Sequence, residues 1–301
     1  RSIQMSSMSN KQKAIIYIIC SAFFFALMNM FVRMSGDLPS IQKSFFRNFV
    51  AFFFALFILI RSKHGFSFQK KNLPAFLGRA FFGTLGILCN FYSVDHLLLS
   101  DASILNKLSP FFAIIFSYFI LKEKISPIQA SAVSIAFLGA ILVVKPGFAI
   151  SGAFFPSVIG VLGGLFAGIA YTLVRVLGQR GEKGPFIVLF FSAFSCITTL
   201  PFLIFDFHPM SLNQSIILLL AGLSAAGGQF TITAAYTHAP AREVSVFDYT
   251  QIVFAAVLGF IFFSQIPDIW SIIGYCMISG VAVWMFIYNN KHSKKPDSGH
   301  K

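Results

Sequence analysis

The chain has 301 residues, 56% of them hydrophobic and only 11% charged, whereas an average soluble domain is about 25% charged. That deficit excludes an ordinary soluble globular protein and places the chain in a bilayer. The net charge of +13 sits in short polar segments between apolar runs, which argues against a nucleic-acid surface and for a role in orienting membrane helices.

In chain order, the opening RSIQMSSMSN precedes the first apolar run and reads as upstream sequence, with Met5 or Met8 as a start. No cleavable signal peptide is expected, because the first run is full length and lacks a small-residue cleavage site. A helix needs about 20 apolar residues to cross the hydrocarbon core. Ten segments qualify: 14–35, 41–61, 74–97, 101–121, 127–145, 156–178, 185–206, 213–238, 244–264 and 269–288. Membrane strands are excluded by the length of these runs and their lack of alternation. Pro39, Pro74, Pro127, Pro156, Pro185, Pro240 and Pro267 punctuate the connections, several of them opening a helix, where a missing N–H costs little. The forty Phe give a bulky apolar surface suited to lipid. Cys20, Cys89, Cys196 and Cys276 all lie in apolar runs without a CxxC pair and read as buried packing thiols.

Sixteen Lys and Arg fall in the amino end, alternate connections and the tail, such as Arg61, Lys70, Lys122, Arg180, Arg242 and Lys294; the opposite side has Lys43 and Lys145. The positive-inside rule then puts both termini in the cytoplasm. The expected fold class is an all-α integral membrane protein with ten transmembrane helices. It divides into a cytoplasmic segment (1–13), a first five-helix repeat (14–145), a second (156–288) and a basic cytoplasmic tail (289–301). An odd number of spans per repeat inverts the second relative to the first, as in secondary transporters. Short echoes support the repeat: FVRMSG (31–36) with LVRVLG (173–178), NFYSVDH (90–96) with AAYTHAP (234–240), and FILKEKIS (119–126) with FIFFSQIP (260–267). Arg33 thereby aligns with Arg175, and Tyr92 with Tyr236.

These features, with SDASILNKLSPFFAIIFSYFILKEKIS carrying Pro110 inside the fourth span and Glu123 at its cytoplasmic end, resemble the drug/metabolite transporter superfamily, EamA type. The resemblance runs over residues 12–290. The second half departs from it: Gln251 stands where Pro is frequent, and Ser264 where Glu is frequent. FFRN (45–48) and YTQIVFAAVLGFIFFSQIPD (249–268) resemble the uptake branch that includes S-adenosylmethionine carriers. The resemblance implies a central cavity lined from both halves, alternating access, and metabolite or amino-acid substrates.

Polar residues inside spans are the candidate functional groups, because burying them otherwise costs stability. Lys107 and Asp248 align in the repeat but enter from opposite membrane faces. At 1.5 Å per residue, straight helices put them roughly 15 Å apart along the normal. A direct salt bridge is therefore not expected; they read as brackets of one substrate cavity, Lys107 toward the outside. Alternatively, each snorkels or pairs with a nearby group and only stabilises the fold. Asn29, Asn90, Tyr92, Tyr171, Gln229, Tyr236, Tyr249 and Gln251 are further cavity candidates, the alternative being interhelical hydrogen bonds. Arg47, deep in its span, has either a cavity or an anchoring role. Arg33, Arg79 and Arg175 read as interfacial anchors; Glu123, Arg33 and Arg175 are also candidates for gating or structural roles. Small-residue runs at 160–171 and 221–228 read as close-packing surfaces.

There is no Gly-rich phosphate loop, HExxH or GxSxG, so no enzyme chemistry, cofactor or metal is expected. The expected function is a secondary active transporter. It would move a small polar metabolite, an amino acid or derivative, across the inner membrane by alternating access. A broad drug or nucleotide-type metabolite transporter and a non-transporting membrane sensor are the alternatives. The expected partners are the small-molecule substrate, the lipid bilayer, and protons or an exchanged metabolite, with no nucleic acid; the chain would be a monomer or homodimer.

Overall fold

The computed structural model describes residues 10–61, 68–122, 125–144, 153–238 and 245–292, and every element among them is helical. The first half holds α1 (Asn10–Met34), α2 (Ser40–Arg61), α3 (Leu73–His96), α4 (Leu99–Asn106), α5 (Ser109–Leu121) and α6 (Pro127–Val144). The second holds α7 (Phe154–Gln179), α8 (Gly184–Phe205), α9 (Leu212–His238), a 3-10 turn (Ser245–Tyr249), α10 (Thr250–Phe263) and α11 (Ile269–His292). Prolines sit in the first turns of α3, α5 and α8, where the helix has no partner for the missing N–H.

Among the described residues, eight helical segments are long and apolar enough to cross a membrane. Two shorter apolar helices, Pro127–Val143 and Phe247–Phe263, stand where the fifth and ninth spans are expected. Large apolar side chains such as Phe57, Phe119, Phe205 and Phe260 are exposed on the outside of the bundle, as a lipid-facing surface requires. Cys276 is exposed as well, and Cys20, Cys89 and Cys196 are half-buried, so the expected full burial of the thiols does not hold. Cys89 still lies against α7 beside Gly163, and Cys196 contacts the Phe45 carbonyl of α2.

The packing between halves is paired. α1 runs along α9, and α3 along α7; each of these contacts becomes the other when every helix is replaced by its counterpart. α2 packs on α8 and α6 on α11, and these contacts map onto themselves. Such self-complementary pairing is what a two-fold relation between repeats produces. At the α6–α11 crossing, a Cβ on Gly274 would lie 2.7 Å from the Gly139 carbonyl oxygen, so only glycine lets the two backbones approach this closely.

The fourth and ninth spans, expected as continuous helices, are broken instead. The α4–α5 break falls at Lys107 and Leu108: a short-range Leu108 N→Leu105 O bond closes α4, and a Phe111 N→Leu108 O bond opens α5. Pro110 accounts for part of it, since it has no N–H to give the Asn106 carbonyl. The second half lacks that proline, and Gln251 occupies the position, yet the span still opens with a 3-10 turn before α10. Both spans also end alike, at left-handed Lys122 and Ser264.

α4 has no side-chain cap of its own; its first N–H, on Leu99, donates 2.9 Å to Gln265 Oε1 from the segment after α10. Gln265→Ala strands that N–H and is expected to cost about 1–2 kcal/mol. Thermal unfolding in detergent checks this, and an unshifted midpoint would show the cap to be energetically idle.

Candidate functional site

α1, α2, α3, the two helix breaks, α7, α8 and α9 enclose a cavity of about 100 Å³, well above the roughly 10–15 Å³ that one water needs. Lys107, Asp248, Asn29, Asn90, Arg47, Tyr171, Gln229 and Gln251 all line it. The structure thus brings together groups that lie far apart in sequence.

The break supplies the geometry at its centre. Lys107 ends α4 and directs its Nζ to Asp248 Oδ2 in the 3-10 turn, forming a direct ion pair. This corrects the expectation that the two charges stand apart. A separation along the normal holds only for straight helices; here both spans are interrupted, and the interruptions meet inside the bundle. Tyr249 supports the pair from behind: its hydroxyl donates 3.1 Å to the Lys107 carbonyl, a group near the break that helix geometry no longer serves. Tyr249 is buried and does not line the cavity.

On α3, Asn90 faces the cavity and its Nδ2 donates to Asn29 Oδ1 at 3.2 Å, tying α3 to α1. Tyr92 lies two residues on, about 200° around the helix. It points elsewhere, stacking on His96 with centroids 4.2 Å apart, so it does not join the cavity. The Tyr236 side chain and Glu123 lie outside the described residues.

The arginines divide differently from expectation. Arg33 spans helices, donating from Nη1 to the Val94 carbonyl at 2.9 Å and to the Leu97 carbonyl, with its guanidinium over Phe263. It is a tie between α1 and the end of α3. Its repeat counterpart Arg175 is exposed on α7. Arg79, expected at the interface, lines the cavity and is only 6% exposed. Six residues into α3 it stands about 9 Å beyond the helix start, and its side chain turns inward over the Phe191 ring at 4.2 Å. Asn106, beside the break, also lines the cavity, and no repeat partner or motif marks it in the sequence. Lys43, counted as an outer loop cation, is 0% exposed in α2 and pairs with Asp95 on α3 at 2.7 Å.

Gly83 makes room for Arg79. A Cβ there would lie 2.0 Å from Arg79 Nη1 and 2.9 Å from Phe191. Gly83→Ala is expected to push the guanidinium out of its place over Phe191, since the end of the Arg79 side chain yields readily, and to crowd the buried Phe191 ring as well. Substrate flux through liposomes should fall about tenfold, on the scale of one lost charge-assisted bond, with the protein still folded and its thermal midpoint lowered by the crowding of Phe191; unchanged flux in the folded variant would count against it.

A polar cavity enclosed by membrane-length apolar helices, where two interrupted helices meet, defines a multi-pass membrane transporter. Comparison with known proteins agrees. The model of the EamA-like transporter family matches residues 12–145 and again 156–287. The chain is 33% identical over 269 residues to the pseudopaline exporter CntI of Pseudomonas aeruginosa, covering 89% of this chain and 93% of that one. It is 28% identical over 294 residues to human solute carrier family 35 member G1, covering 92% and 80%. A solved crystal structure superposes with a TM-score of 0.65 at 14% identity, over 92% of this chain and 98% of its own, a likeness of fold. The chain belongs to the EamA-like transporter family of the drug/metabolite transporter superfamily.

Proposed function

We propose that this transporter is a secondary active carrier that moves a small polar metabolite, an amino acid or derivative, across the inner membrane by alternating access. Ten crossings in two inverted halves, with both termini cytoplasmic, are part of this reading. The observation that carries it is the Lys107–Asp248 pair, which joins the interrupted helix of one half to that of the other inside the cavity. An ion pair between two interrupted helices is a contact that substrate or a proton can compete for. Protonation of Asp248 would release Lys107 and loosen the junction, giving a route for coupling to a proton gradient. Asn29, Asn90, Gln229 and Gln251 would provide directional hydrogen bonds to the substrate, and Tyr171 an aromatic face. The identity to a protein named as an exporter favours outward movement in the cell.

The test is uptake of labelled amino acids and derivatives into liposomes holding the purified protein, with and without a pH gradient. Flux that responds to the gradient is the expected result. Absence of flux across a broad library, with no ligand-induced thermal shift, would leave the non-transporting alternative standing.

A further inference from the structure

The charges lining the cavity are unbalanced. Arg47, Arg79 and Lys107 are cationic, and Asp248, already paired with Lys107, is the only carboxylate among the described lining residues. Arg47 and Arg79 are 3% and 6% exposed. Their guanidinium carbons lie 6.0 Å and 4.2 Å from the same Phe191 ring centroid, so they are within about 10 Å of each other, the sum of those distances. Neither Nε has a hydrogen-bond partner among the described residues. Arg47 gives one bond from Nη1 to the neighbouring Asn48, while Arg79 makes no hydrogen bond or ion pair among the described residues.

Two buried, mutually repelling guanidiniums without an acid are costly. The face of Phe191 offsets only part of that cost, since cation–π contacts contribute about 0.5–2 kcal/mol. The remaining deficit is of the kind that a bound anion relieves. A guanidinium presents a planar fork of donors that matches a carboxylate, and two forks match two carboxylates. The apolar walls beside them, Phe191 and Ile87, suit a short carbon chain between those groups. The cavity volume suits a small molecule rather than a nucleotide.

We infer that the cavity selects a small organic dicarboxylate, held by Arg47 and Arg79, which share the Phe191 ring. This rests on the transporter reading and specifies its substrate class.

The experiment uses the full chain in nanodiscs, with binding measured by calorimetry and thermal shift. The probes are succinate, glutarate and glutamate, their amide counterparts succinamide, glutaramide and glutamine, and glycerol 3-phosphate. The dicarboxylates are expected to raise the unfolding midpoint and to bind at least about tenfold more tightly than the amides, the loss set by one charge-assisted contact. R79Q and R47Q should each weaken dicarboxylate binding by about 10–100-fold, with R79K recovering part of the loss by keeping the charge without the fork. Should either Gln variant fail to fold, the comparison of acids with amides on the unaltered protein decides. Amides that bind as tightly as acids, acids that do not bind, a preference for glycerol 3-phosphate, or unchanged affinity in folded R79Q would each overturn the inference. Liposome flux separates this from the broader reading: transport of glutamine without dicarboxylate binding leaves a carrier with a different substrate, whereas dicarboxylate binding without any flux leaves the anion site and removes the carrier.

Discussion

Asp248→Asn is expected to destabilise the protein by about 3–5 kcal/mol, because it leaves Lys107 charged and largely buried without its partner. The two side chains retain only 9% and 13% of their accessible surface, so solvent screens the pair little. Lys107→Met should cost a similar amount from the other side. The double variant Lys107→Met/Asp248→Asn removes both charges and should recover most of the lost stability, since neutral groups do not carry the desolvation cost of a lone ion. Function should separate from stability here. If the pair links transport to protons, the double variant folds, yet its flux no longer responds to a pH gradient. Thermal unfolding and liposome flux, measured on all three variants, provide the check. Single variants as stable as the parent would show that the pair contributes nothing to the junction; a double variant with normal gradient response would remove it from coupling.

Gly168→Val should be the most damaging single change on α7. A Cβ at Gly168 would already lie 2.6 Å from Phe112 Cβ, 2.9 Å from the Ser109 carbonyl oxygen and 3.1 Å from the Ala113 nitrogen. Two of these are backbone atoms of α5, so the helix itself must move away, and with it the break that positions Lys107. Overpacking of this kind costs about 3 kcal/mol, and flux should be lost with it. Gly178→Ala, near the end of the same helix, has nothing within 4 Å of the added Cβ; it should be neutral or stabilising by up to about 1 kcal/mol through helix propensity. Equal midpoints for the two variants would contradict the close-packing account of α7.

The membrane class, the helical architecture and the two-part organisation are legible in the sequence because each depends on local, additive properties. Twenty apolar residues must become a helix in lipid, since no other single segment satisfies its own backbone. The short echoes between 31–36 and 173–178 point to the repeat for the same reason: they lie in matching order along the chain. The SILNKLSPFF stretch carries its own break signal in Pro110. The matching break before α10 has no proline, so its sequence gives no such sign.

What the sequence left open concerns direction and depth, which belong to no single residue. Tyr92 and Asn90 are both polar, on the same helix and two residues apart, yet only one faces the cavity, because helical rotation and the packing of α3 on α7 choose the face. Arg79 has the sequence context of an interfacial anchor; the space beside Gly83 and the ring of Phe191, brought from a different helix, turn it inward. Lys43 counts as a loop cation until Asp95 is placed beside it. The distance between Lys107 and Asp248 follows from composition and rise only if both helices are straight. Sequence alone therefore determined that two opposite charges are buried at matching places in two halves, by the cost of putting charge in lipid. Only the tertiary structure decided that they touch, because the ends of two interrupted helices, converging from opposite halves, meet at one point in the bundle.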